Sequence, residues 1–138
     1  MHRAQPRRFG NAPSAAEIEG IARRALESLP DPFASHLSDV VLQVEEFADE
    51  ETLREMGIEE PFELTGLYEG LPLTERSVEH SGTLPDRIRL FRRPILDEWA
   101  ADGHGLEHLV RHVLIHEVGH HFGFSDEDMH ALEETAGE

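Results

Sequence analysis

The stretch from Leu106 to Gly123 constrains this chain more than any other. Leu106, Leu109, Val110, Val113 and Leu114 recur at helical spacing, so the stretch is predicted to be an amphipathic helix with one face against a core. The same helix carries His116, Glu117 and His120. Residues four apart lie on one face, one turn above each other, so the two imidazoles can aim at a common point. Glu117 falls inside the arc of the apolar stripe. A lone carboxylate there costs on the order of several kcal/mol unless it is paired or protonated. An ordinary amphipathic helix with its His and Glu in solvent leaves that placement unexplained.

His-Glu-x-x-His is the spacing of a zinc-hydrolase helix. Two histidines hold the ion, and the glutamate reaches a water on it without displacing either ring. In a chain with 10 His and 29 Asp and Glu the bare pattern arises easily by chance, so its surroundings decide. Gly123 follows where a helix C-terminus favours a left-handed residue, and Asp126 comes three residues later. A carboxylate oxygen is an acceptable zinc ligand. The expected metal ligands are therefore His116, His120 and Asp126, with Glu117 as catalytic base. His130, one turn into the next helix, is the rival third ligand. His112 is expected beside the site and not on the metal, because a His112/His116 pair would leave Glu117 without a task. His121 points away from the pair and is expected to be structural or solvated. Tyr68 reads as a packed strand residue, or as an oxyanion donor if its strand borders the cleft.

Composition narrows the alternatives. The chain has no Cys, which excludes disulfides, thiolate metal sites and a thiol nucleophile. Any metal must be held by His and carboxylates. Twelve Lys and Arg against 29 Asp and Glu give a net charge of −17, which repels phosphate and argues against nucleic-acid or anionic-membrane partners. No apolar run approaches the roughly 18 residues of a membrane span. Arg3, Arg7 and Arg8 are not followed by an apolar segment, so a cytoplasmic protein is expected.

The 138 residues suit one domain, expected over 14–132 with tails at 1–13 and 133–138. Ser14 and Glu17 form a capping box ahead of a helix that Pro30 stops. Val40, Leu42 and Val44 alternate with Val41, Gln43 and Glu45, as in a strand with one apolar face. Asp49 caps a short helix ending at Gly57. Residues 63–69 and 87–91 read as two further strands, joined by a long connection over 71–86. Pro94 suits the first turn of a helix that Gly103 breaks. After the helix over 105–122, a last short one runs to Leu132, with Ser125 or Asp128 as its cap. A small sheet of about three strands among packed helices is an α+β fold.

With these residues in view, the chain resembles the small bacterial zincin-like metallopeptidases, which have a minimal zincin fold. The resemblance rests on His116-Glu117-Val118-Gly119-His120-His121-Phe122-Gly123-Phe124-Ser125-Asp126-Glu127-Asp128. Gly66-Leu67-Tyr68-Glu69-Gly70 with Pro72, and Leu84-Pro85-Asp86-Arg87-Ile88, support it. It implies Zn2+ on His116 and His120, a catalytic Glu117, and a small sheet packed against the active-site helix. The function expected is hydrolysis of a peptide or protein substrate. The alternative is a zinc-binding regulatory or interaction module with little turnover. Oligomeric state is not legible.

Overall fold

The computed structural model describes residues 11–31, 33–70, 85–123 and 125–136, without the side chains of residues 126, 132, 135 and 136. The expected N-terminal tail up to residue 10 and most of the 71–86 connection lie outside the described residues. The elements are α1 (Ala15–Glu27), α2 (Phe33–His36), β1 (Val41–Glu45), α3 (Glu50–Met56), a 3-10 turn (Pro61–Glu63), β2 (Gly66–Glu69), β3 (Arg87–Phe91), α4 (Arg92–Asp102), α5 (Leu106–His121) and α6 (Asp126–Ala136).

Local chemistry explains where most of these begin and end. The Ser14 hydroxyl accepts from the Glu17 N–H, and the Ser14 N–H donates to the Glu17 carboxylate, both at 3.1 Å, so the box that opens α1 is closed. Asp49 caps α3 by accepting from the Thr52 N–H, and Gly57 ends it at φ 69°. Gly103 ends α4 in the same way at φ 75°. Two departures from the sequence reading are local. The second strand starts at Gly66 and not at residue 63, because Pro61 opens a 3-10 turn in which the Glu63 N–H donates to the Glu60 carbonyl at 2.9 Å. The last helix continues past Leu132 to Ala136. The four-residue α2 carries no periodicity that a sequence could show.

The three strands form one mixed sheet in the order β1-β3-β2, with β1 parallel and β2 antiparallel to the central β3. Alternation along β3 divides the molecule into two layers of different character. Ile88 and Leu90 are fully buried with Leu42 of β1 under Ile18 and Ala22 of α1 and Val110, Leu114 and Val118 of α5. Each such Val, Leu or Ile side chain contributes about 1.5–3 kcal/mol on burial, so this layer carries the fold. The opposite face holds a smaller cluster of Ala48, Leu53, Leu64 and Phe91, together with Arg89. The architecture is α+β, as expected, with α5 laid against the sheet and against β2. Among the described residues no helix is long and apolar enough to cross a membrane.

Candidate metal and catalytic site

The buried residues of α5 are Leu109, Val110, Val113, Leu114, Ile115, Val118 and Gly119. They leave the rings of His112, His116 and His120 as a ladder beside the core. The His116 and His120 rings are 4.2 Å apart between centroids, at 65° to each other, and His112 stacks on His116 at 5.8 Å. Glu117, one position after His116, is half-buried. Its carboxyl is pushed up from the ordinary value of 4.5, chiefly because burial strips water from the charged form. The charge of His120 and a hydrogen bond from the Tyr68 backbone N–H oppose that shift without cancelling it.

The bond to Tyr68 follows from the register of β2. The Phe91 N–H donates to the Thr65 carbonyl, so residues 65, 67 and 69 are the ones that exchange hydrogen bonds with β3. Gly66 and Tyr68 therefore turn their backbone groups to the outer edge, where α5 lies. A side chain at Gly66 would press on Val113 Cγ1 at 2.9 Å, so the glycine allows the close approach of strand and helix. The Tyr68 ring stacks on His121 at 3.9 Å and 17°, and its hydroxyl donates to Asp86 Oδ2 at 2.7 Å. His121 Nε2 is 3.8 Å from the same carboxylate oxygen. His121 is thus part of a structured trio and not merely solvated. Each member falls in one of the three sequence blocks quoted above, but no local pattern joins the three blocks.

Beyond α5 the chain turns at Gly123, whose φ of 75° is the left-handed conformation its position called for. Ser125 caps α6, accepting from the Asp128 N–H at 3.1 Å. Met129 packs against Gly119, and His112 Nδ1 pairs with Glu133, so α6 folds back along α5. His130, the rival third ligand, is about three-quarters exposed and pairs with Glu134 along its own helix at 3.2 Å. Asp126 is the first residue of α6, and its side chain lies outside the described part of the structure. Among the described residues no group of three His, Asp or Glu side chains converges. The donor set still suits zinc at two positions: imidazoles on successive turns, beside a carboxylate deprived of water.

No protein with a curated description matches the chain. The sequence pattern of one family does, over residues 37–136, and the matched span holds the whole sheet, both imidazoles, Glu117 and the helical hairpin after it. On that match and this fold, the chain belongs to the zincin-like metallopeptidase family.

Proposed function

We propose that the protein is a zinc-dependent peptidase of the cytoplasm, with zinc held by His116, His120 and Asp126 and with Glu117 as general base. One observation carries this reading: Glu117 lies beside the two clustered imidazoles, half-buried, where loss of water raises its pKa and favours a carboxylate that takes up a proton. When bound, zinc would act as a Lewis acid, bringing the pKa of water down to about 7 and polarising a peptide carbonyl.

The residues of the chain would do the rest. Glu117 accepts a proton at its carboxylate from the attacking water and returns it to the leaving amine. The Tyr68 N–H holds the carboxylate in one orientation during both transfers. The apolar residues around α5 limit the water that could compete for it. β2 is an edge strand against α5, so residues 66–70 would wall the cleft beside Glu117 for an extended peptide.

The test is Glu117→Gln, which keeps the shape of the side chain and loses the proton acceptor. Zinc content should stay at one per chain, while cleavage of a peptide library at neutral pH should fall by roughly a hundredfold or more. Equal cleavage by both proteins would remove Glu117 from the mechanism. Bound zinc with no cleavage by either would favour the zinc-binding regulatory module.

A further inference from the structure

We infer that Gly119 and Met129 are positioning residues of the metal site: their contact seats α6 on α5 and so fixes where position 126 stands relative to His116 and His120. The inference rests on the proposed reading of Asp126 as third ligand.

Among the described side chains of α6, Met129 alone is buried, at 4% exposure. The attachment of the helix therefore depends heavily on this one residue. Met129 fills the notch left by the missing side chain of Gly119, and a Cβ at that position would collide with its Cγ and Sδ atoms. Gly119 immediately precedes His120 on α5. The Met129 N–H donates to the Ser125 carbonyl at 3.0 Å, so Met129 closes the first turn of α6, the turn that contains position 126. Residues three and seven apart share a helix face, which puts positions 126, 129 and 133 on one side of α6. Position 133 is tied as well, since Glu133 pairs with His112 two turns before Gly119. The two contacts, 119 with 129 and 112 with 133, set an antiparallel register between the helices. Continued towards the Gly123 turn, that register brings position 126 to the histidine end of α5. A glycine between Glu117 and His120 is thus the surface on which the third-ligand arm rests.

The experiment measures zinc affinity by chelator competition, with helix content and thermal midpoint as controls for folding. Gly119→Ala should weaken zinc binding by about tenfold, the scale of changes behind metal ligands. With Met129→Ala alongside, the added methyl has room, and its effect should shrink to within about twofold. In an Asp126→Ala background Gly119→Ala should leave the weaker, two-histidine affinity unchanged, because the arm no longer carries a ligand. If Gly119→Ala disturbs folding, Met129→Ala alone serves: it should weaken zinc with Asp126 present and not without it. Equal losses in both backgrounds would overturn the inference, since the effect would then run through α5 itself. Wild type that binds zinc with an affinity indifferent to Asp126→Ala removes the third-ligand reading and the inference with it. An Asp126-dependent affinity that ignores Gly119 and Met129 removes the inference alone.

Discussion

Arg89 and Glu117 are both charged residues set into apolar surroundings, on opposite faces of the sheet, and the protein treats them oppositely. Arg89 is 5% exposed and fully answered. Its guanidinium donates to Glu45 at 2.9 Å, to Asp49 at 2.8 Å and to Thr52 at 3.0 Å, with Glu69 at 3.6 Å. Hydrogen bonding to Glu45 raises its pKa further above an already high value, and Asp49 is held well below the usual carboxylate range by Thr52 and by Arg89. Glu117 has the Tyr68 N–H and the field of His120, and burial still drives it towards its neutral form. A charge that serves the fold is surrounded until it cannot change state. A carboxylate whose charged form burial disfavours is suited to chemistry.

The comparison can be broken at Arg89 first, where the largest effect is expected. Arg89→Ala leaves Glu45 and Asp49 facing one another without that cation, while Glu69 keeps Arg87 at 2.7 Å, and should cost roughly 3 kcal/mol of stability, near the low end for a buried pair because its acceptors keep some water. Zinc affinity should not change, since α5 packs on the other face. Arg89→Lys keeps the charge but not the planar fork, and about half of the loss should remain. A denaturant midpoint unmoved by Arg89→Ala would mean that the network is decoration.

Glu117 offers a smaller effect of opposite sign, measured on metal-free protein. At pH 7 Glu117→Gln should raise stability by about 1 kcal/mol, because a desolvated charge is removed. Below the ordinary value of 4.5 the carboxyl is protonated in both folded and unfolded chains, so the two proteins should differ little there. As pH rises, the unfolded chain ionises first, and wild type loses stability until the raised folded pKa is passed. The gap should therefore open with rising pH and then level off. Asp49 slopes the other way: its contribution is complete above the ordinary 3.8 and is lost as pH falls through its lowered value. A gap between wild type and Glu117→Gln that is constant from pH 4 to 8 would show that burial does not perturb Glu117.

The two faces also differ in how much of them could be read in advance. Glu117 was legible because helix periodicity alone places it on the apolar arc, within one turn of both histidines. The elements were legible for the same kind of reason: a capping box at Ser14, left-handed glycines at 57 and 123, and alternation along β1 and β3 are all local signals. Arg89 gave no sign of its burial. Its acceptors lie 37 to 44 residues away, and only the parallel pairing of β1 with β3 brings Glu45 beside it. The same limit hid the trio of Tyr68, Asp86 and His121, and the seating of Met129 on Gly119. Strand order and helix docking are settled by the sum of the core contacts, which no short window of sequence contains.

Tyr68 sharpens the comparison with the smallest effect, because it touches Glu117 through its backbone and the rest of the fold through its side chain. Its hydroxyl is already spent on Asp86, and Asp86 is itself fixed, its carbonyl accepting from the Val41 N–H at 2.9 Å. A hydroxyl so held supports the end of β2 and is not aimed at a substrate. Tyr68→Phe keeps the ring that stacks on His121 and the N–H that bonds Glu117, and removes the hydroxyl that bonds Asp86. It should cost about 0.5–1 kcal/mol, the net worth of a half-buried hydrogen bond, and leave zinc content untouched. Peptide cleavage should stay within about twofold of wild type, whereas losing an oxyanion donor would lower it by roughly a hundredfold or more. The two measurements together decide the matter. A lower midpoint with full turnover keeps Tyr68 on the structural side of the molecule with Arg89. A hundredfold loss of turnover with the midpoint unchanged would move its hydroxyl across to the chemistry of Glu117, and would mean that it leaves Asp86 when a peptide binds.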